Sequence, residues 1–313
     1  MESLESWRPS ATLEGRIVHT LRIANRWGYG LAAEDLPRLL YGGPEGGGDV
    51  AATLRVSPAI AYRDGFATLR ERDDLIAKSV ARRASNGALT ALYFGIAEDF
   101  ARDLLRYSPF VRAIAVSGST ASGGLDAGDD VDFNLFAEDG TKYGVYLAAL
   151  LLGVKYSLRH GRRFGRGASF LGLLRKVTCV NVVWTESECG PFVRQDEFLG
   201  FELLRSVPIA GNAYFARTLE ANPWIAHHFP QIFERVHADR VTAPPPSLLA
   251  RLQRRIARSQ RGRRLLDRTA RGIAAVLHRV VDLTRERDPE ATARTSFLRR
   301  VKFPYDVFQD GAR

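Results

Sequence analysis

The chain has 313 residues, 45% of them hydrophobic, which is enough apolar material for two or three domains with buried cores. Its two cysteines, Cys179 and Cys189, are too few for a disulfide framework, and no CxxC pair indicates a structural zinc site. The longest uncharged apolar run, 143–154, is too short to span a bilayer, and the N-terminus lacks the apolar segment of a secretory signal. We therefore expect a cytoplasmic protein with no membrane partner.

The net charge of +10 is concentrated at the C-terminal end. Of the 45 basic and 35 acidic residues, 17 basic and 7 acidic ones lie from Ser247 onward, so the preceding part is neutral overall. The amphipathic, Arg-rich pattern of 247–313 predicts a helical tail with a possible role in contacting polyanions. Because this tail carries the whole charge surplus, we expect that it can be removed from a folded core.

Residues 1–68 have the pattern of a winged-helix-like module. Two short helices are predicted within 13–40, and a glycine-rich connector follows at 42–49. The next stretch, 54–69, predicts a hairpin that turns at Asp64-Gly65. A plain packing module is the alternative, because the segment has no basic surplus for a DNA-recognition helix.

Residues 69–190 read as a compact core of strands and helices. A long helix over 70–107 is followed by the apolar run "VRAIAVSG", by the strand "VDFNLFAED", by an apolar helix and by a third strand, "KVTCVNVVW". The prediction is an α+β fold with a small mixed β-sheet. Residues 191–246 are predicted to be a helical segment that packs on this core, ahead of the C-terminal tail helices.

A candidate site lies where the first two core strands meet. Asp130 and Asp132 are two apart in a strand, so both carboxylates point to one face and repel each other unless a cation lies between them. Mg²⁺ prefers such oxygen ligands and leaves positions for phosphate oxygens. Gly118 allows close backbone approach, and Ser119 offers a hydroxyl and an N–H to a phosphate. The alternative is a helix-capping Ser119 followed by a solvated acidic turn.

The order Gly-Ser, ten residues, Asp-Val-Asp resembles the nucleotidyltransferase superfamily related to DNA polymerase β. "PFVRAIAVSGS", "DDVDFNLF", "KVTCVNVVW" and the segment around Asn222-Pro223-Trp224 further resemble a bacterial family of nucleotidyltransferase-domain proteins. The resemblance implies transfer of a nucleoside monophosphate from an NTP to a hydroxyl- or phosphate-bearing acceptor, with Mg²⁺ or Mn²⁺. It implies that Asp130 and Asp132 hold the metal and that Gly118 and Ser119 hold the triphosphate. Lys176, which stands just before the third strand, is a further candidate phosphate contact.

One position departs from the superfamily pattern. Asn181 stands where the resemblance implies a third carboxylate, and asparagine can position a ligand but cannot act as a base. Three explanations are open: one metal ion suffices, Glu186 or Glu188 takes the place of the missing carboxylate, or transfer is weak or lost. Two other functions are therefore kept, a nucleotide-binding pseudo-enzyme and a nucleic-acid-binding regulator built on the N-terminal helices and the basic tail.

Overall fold

The structure, a computed structural model, describes residues 12–161, 169–170, 174–235 and 238–285. The chain combines helices with small sheets, as the predicted α+β class requires. It divides into two compact units that are each built from separate stretches of the chain. The first unit takes in the described parts of Met1–Ala84, Arg194–Leu204 and Pro223–Val236, and the second takes in the described parts of Ser85–Val193, Arg205–Asn222 and His237–Arg313.

The N-terminal part of the first unit packs helices around a three-stranded antiparallel sheet of order β1-β3-β2. Its elements are α1 (Leu13–Arg26), β1 (Leu31–Ala32), α2 (Leu36–Leu39), α3 (Gly47–Val56), β2 (Ile60–Arg63) and β3 (Phe66–Leu69). The predicted hairpin is confirmed, because Arg63 pairs with Phe66 across Asp64-Gly65. Both turn residues have positive φ, 53° and 76°, as a two-residue hairpin turn of this kind requires.

The predicted connector at 42–49 is only partly a loop. Helix α3 begins at Gly47 inside the glycine run, so glycine here marks the start of a helix rather than the whole of a linker. The order helix, strand, two helices and hairpin is compatible with a winged-helix-like module. That identification stays a prediction.

The second unit is built on a four-stranded mixed sheet of order β8-β5-β4-β9. Strand β4 is antiparallel to both β5 and β9, whereas β5 and β8 run parallel. The elements that follow the first unit's hairpin along the chain are α4 (Asp74–Tyr107), β4 (Val111–Ser117), α5 (Gly118–Ser122), β5 (Val131–Ala137), α6 (Lys142–His160), β6 (Ser169–Phe170), β7 (Leu174–Arg175), β8 (Thr178–Thr185), α7 (Glu186–Cys189), α8 (Glu197–Arg205), β9 (Val207–Ala210), α9 (Asn212–Glu220), α10 (Leu248–Ile256) and α11 (Gln260–Arg285).

Strand β5 directs alternate side chains into a hydrophobic core and to the opposite face of the sheet, which carries Asp132, Asn134 and the buried Phe136. Val131, Phe133 and Leu135 belong to the large buried cluster that also includes side chains of α4, α6 and α11. Phe100 of α4 stacks on Phe133 with 4.6 Å between ring centroids. Because successive side chains of a strand point to opposite faces, Asp132 points away from this core. The packing of the apolar face thereby fixes the direction of the candidate carboxylate.

The C-terminal helices are not a removable tail. Ala257, Ala270 and Ala274 are buried in the same hydrophobic cluster as the sheet. Asp267 of α11 accepts hydrogen bonds from the backbone N–H groups of Tyr143 and Gly144, at 2.8 and 3.1 Å, and so caps the first turn of α6. The expectation that 247–313 could be deleted from a folded core is therefore wrong for its described part, while 286–313 lie outside the described residues.

The segment 191–246 also differs from its prediction as one helical layer. It contributes β9, which pairs with β4 as an edge strand of the four-stranded sheet, and its stretches are divided between the two units. The apolar run Val207–Ala210 is only four residues long and lies between helices, so its pattern alone did not distinguish a short strand from a helix continuation.

Candidate functional site

The site forms where β4 ends and the chain turns into the short helix α5. Gly118 has a φ of +65°, in the left-handed region that favours glycine. A Cβ atom at this position would lie 2.3 Å from Oδ2 of Asp132. Glycine is therefore required twice, by the backbone conformation and by the carboxylate that lies directly against it. The glycine and the second aspartate of the sequence pattern are in contact.

Ser119 lies in the first turn of α5. Ser117 occupies the N-cap position of this helix, so the alternative in which Ser119 caps a helix is wrong. Gly123, with a φ of +71°, ends the helix and donates its N–H to the Ser119 carbonyl. The sequence pattern thus forms a strand, a tight one-turn helix and a glycine stop.

The acidic stretch after α5 is a structured turn rather than a solvated one. Asp129 is buried, and its Oδ2 accepts a hydrogen bond of 3.1 Å from the backbone N–H of Asp126. The Tyr93 hydroxyl contacts the carbonyl oxygens of both Asp126 and Asp129, at 3.1 and 3.2 Å. These contacts fix the loop that leads into Asp130, so Asp129 has a structural role.

Asp130 and Asp132 lie beside Cys179, a residue that the sequence reasoning did not select. Within the described part of the chain, these three side chains form one group whose potential metal-ligand atoms all lie within 4.8 Å of one another. Cys179 is the direct cross-strand partner of Asp132 in the parallel β5–β8 pairing. Register was the missing signal, because the partner of Asp132 on the third strand depends on how β8 aligns with β5.

Lys176, which precedes β8, is an ion-pair partner of the first carboxylate. Its Nζ is 3.0 Å from Oδ2 of Asp130, and both side chains are largely buried. Burial alone lowers the pKa of this ammonium, but Asp130, Cys179 and Asp132 together outweigh burial and raise the pKa above its usual value. Lys176 therefore remains a cation at the site. Where the sequence predicted a phosphate contact, the structure shows a contact with Asp130.

Asn181 is on the third strand as expected, but it is not the residue opposite Asp132. Val180 pairs with Phe133 and Val182 with Asn134, so Asn181 is the extra residue of a register shift. Its Nδ2 donates a hydrogen bond of 2.9 Å to the Oγ of Ser117. The Ser117 hydroxyl is in turn 3.4 Å from Oδ1 of Asn134, which gives a buried polar row across β8, β4 and β5.

Glu186 and Glu188 cannot replace a third carboxylate at this site. Both follow the C-terminal end of β8, whereas Cys179 lies at its start. Glu186 pairs with Arg112 at 3.1 Å, and Glu188 pairs with Lys142 at 2.7 Å while completing the capping box of α7. Both carboxylates make local ion pairs at the other end of β8 from Cys179.

Asn222, part of the Asn-x-Trp segment that supported the resemblance, is fully buried. Its Oδ1 accepts from the backbone N–H of Phe192, and its Nδ2 donates to the carbonyls of Cys189 and Thr218, each at 2.7 Å. All of these partners are backbone groups, so the asparagine fixes the chain after α7. In this protein the described contacts of Asn222 are structural.

Comparisons of the chain with protein-family models, with curated proteins and with solved structures found no significant match. The geometry of the site and the sequence pattern are therefore what indicate a function for this protein.

Proposed function

We propose that the protein transfers a nucleoside monophosphate from an NTP to a hydroxyl- or phosphate-bearing acceptor, in a reaction that depends on Mg²⁺ or Mn²⁺. The observation that carries the proposal is the contact between Gly118 and Asp132, where even a methyl group at position 118 would collide with the carboxylate. The backbone turn that starts α5 and a pair of carboxylates are thereby held together. This is the arrangement needed to hold a triphosphate beside its cation.

The donor set fits a hard divalent cation through its two carboxylates. Asp130 and Asp132 would hold the ion, and Mg²⁺ in proteins is commonly held by one or two carboxylates together with substrate phosphates. The thiol of Cys179 is a softer ligand than Mg²⁺ prefers, so the fit does not depend on it. When bound, such an ion neutralises the charge on the phosphates.

The chain's own groups have separate roles in this proposal. The N-terminal turn of α5 would orient the phosphates through backbone N–H groups, and the Ser119 hydroxyl would add a hydrogen bond. Asn181 donates to Ser117 and thereby holds the end of β4 in place below that turn. Asn181 would act as a positioning residue and takes no proton from the acceptor.

The double variant Asp130→Asn, Asp132→Asn tests the proposal. We expect Mg²⁺-linked NTP affinity to fall by roughly 100-fold or more and pyrophosphate release to stop, because amides do not supply the anionic ligands. The matched control is Asp99→Asn, an exposed carboxylate on α4 that pairs with Arg102. Equal NTP affinity of the double variant and wild type, measured by calorimetry with Mg²⁺, would show that the carboxylates do not hold the metal nucleotide.

Nucleotide binding without transfer is a second candidate function. The Lys176–Asp130 ion pair favours it, because a built-in ammonium partly neutralises a carboxylate that the metal would need. The described position opposite Asp132 also carries a thiol instead of a carboxylate. Metal-dependent NTP binding with no pyrophosphate release from any NTP, tested with a metabolite extract as acceptor, would distinguish this function from transfer.

A further inference from the structure

Helix α10 exposes an apolar stripe. Leu248, Leu252 and Ile256 follow one another at intervals of four residues and so lie on one side of the helix, next to Leu249. All four are exposed, Leu248 to 81%. The opposite side of α10 contains the fully buried Ala250, so the helix is anchored on the core by its small residue and presents its large ones outward.

Helix α11 repeats this arrangement. Leu265, Ile273 and Val276 are exposed, with Leu265 and Val276 more than half accessible. At 100° per residue, these three positions fall on one flank of the outward side, while the buried Ala270 and Ala274 face the core. An amphipathic helix that covers a core normally buries its large apolar residues, whereas these three are exposed.

Arginines line both stripes. The exposed arginines beside the α10 stripe are Arg251, Arg255 and Arg258, and those beside the α11 stripe are Arg261, Arg264 and Arg268. Over 248–285 the chain has eleven arginines and two acidic residues, Asp267 and Asp282. Asp267 is engaged in capping α6, so the outward surface of these helices is strongly cationic.

We propose that the outward face of α10 and α11 binds the surface of an anionic phospholipid membrane. Large apolar side chains would enter the boundary between headgroups and acyl chains, and the flanking guanidinium groups would pair with lipid phosphates. None of the described helices is long and apolar enough to cross a bilayer, so the contact would be interfacial.

The apolar stripes favour lipid over nucleic acid as the anionic partner. A nucleic-acid surface takes basic and polar side chains to its phosphates, and stacking on its bases uses aromatic rings. The exposed large hydrophobic side chains that the structure describes on these two helices are aliphatic. Aliphatic residues beside arginine are typical of interfacial helices, where the guanidinium reaches the headgroups while its methylenes lie along the apolar region.

Co-sedimentation of the full chain with vesicles tests the proposal. We expect retention on vesicles of phosphatidylcholine mixed with phosphatidylglycerol and little on phosphatidylcholine alone. Two double variants each remove two aliphatic side chains: Leu252→Gln with Ile256→Gln, and Leu265→Gln with Val276→Gln. Each should lower the vesicle-binding constant by roughly tenfold or more, because these side chains no longer transfer from water into the lipid. Arg251→Gln, Arg255→Gln should lower it by roughly fivefold per charge. Leu158→Gln is the matched control, since Leu158 is also an exposed aliphatic residue of this unit and lies on α6.

Three results would overturn the proposal. The first is equal retention on both kinds of vesicle or on neither. The second is wild-type retention of the two glutamine pairs together with complete loss in salt, which would indicate a plain polyanion surface such as one for nucleic acid. The third is a wild-type dimer that the glutamine pairs convert to a monomer without vesicle binding, which would assign the stripes to a second copy.

Discussion

The two ends of strand β5 both place carboxylates beside cations, but in opposite proportions. At its start, Asp130 and Asp132 share a site with the ammonium of Lys176. At its end, the buried Glu138 is approached by three arginines, from β4, α10 and α11. One end therefore has two negative groups around one ammonium, and the other has three guanidinium groups around one carboxylate.

The difference separates a structural ion cluster from a candidate binding site. Arg254 is 2.6 Å from Glu138 and also donates to the Pro109 carbonyl, and Arg263 donates to the Asp139 carbonyl. These arginines hold the C-terminal helices to the end of the sheet. The aspartate end keeps an excess of negative charge next to the Gly118 turn, and such a site gains most from a bound cation.

The largest effect is expected at the aspartate end from Gly118→Ala. An alanine there must adopt a φ of +65° and displace the Asp132 carboxylate, so we expect the free energy of unfolding to fall by about 2 kcal/mol or more. NTP affinity should also be lost, because the turn and the Asp132 carboxylate would no longer have the relative position that binding needs. Urea unfolding and NTP calorimetry measure the two effects.

Gly124→Ala is the control for this variant. Gly124 lies in the same loop, but nothing lies within 4 Å of a Cβ placed on it. We expect its free energy of unfolding and its NTP affinity to stay close to the wild-type values. Similar losses for the two variants would mean that the loop as a whole tolerates no substitution and that the Gly118–Asp132 contact has no special role.

A smaller effect is expected at the arginine end from Glu138→Gln. The variant leaves three guanidinium groups around a neutral amide, but these arginines are 36–47% exposed and water screens part of the loss. We expect the free energy of unfolding to fall by about 1–2 kcal/mol, with NTP affinity unchanged. Glu98→Gln, which removes the exposed partner of Arg240, should cost less than about 1 kcal/mol. Loss of NTP affinity in Glu138→Gln would show that the two ends of β5 are coupled.

Much of the fold could be predicted because its signals are local. The apolar run of β4, the alternation of β5 and the Asp64-Gly65 turn each determine their element within a few residues. The docking of α10 and α11 could not be predicted, because it depends on contacts between residues that are more than 100 positions apart along the chain. Arg254 of α10 pairs with Glu138, and Asp267 of α11 caps α6 at Tyr143. The charge distribution of the sequence showed the excess of arginines but not the contacts that they make with the core.

The site was predictable to the same extent. Gly118 and the two aspartates lie in one short stretch, and their spacing was enough to place them together. The third strand was aligned by its pattern alone, which pointed to Asn181. In the structure Cys179 lies opposite Asp132, and the register shift between Val180 and Val182 leaves Asn181 as an extra residue. A bulge of one residue is not visible in the apolar pattern of "TCVNVVW".

The smallest effect is expected from adding a third carboxylate to the site, which two different substitutions can supply. Cys179→Asp puts a carboxylate directly opposite Asp132, so without metal the added repulsion should lower the free energy of unfolding by about 1 kcal/mol. Asn181→Asp removes the donor to Ser117, but the Ser117 hydroxyl can donate to the new carboxylate instead, and position 181 is further along the strand.

Mg²⁺ or Mn²⁺ should restore stability to Cys179→Asp more than to Asn181→Asp, because a cation bound only by the folded state stabilises it by mass action. Thermal unfolding of both variants and wild type, with and without metal, measures this order. If metal stabilises Cys179→Asp no more than wild type, Asp130 and Asp132 do not share a cation beside that strand.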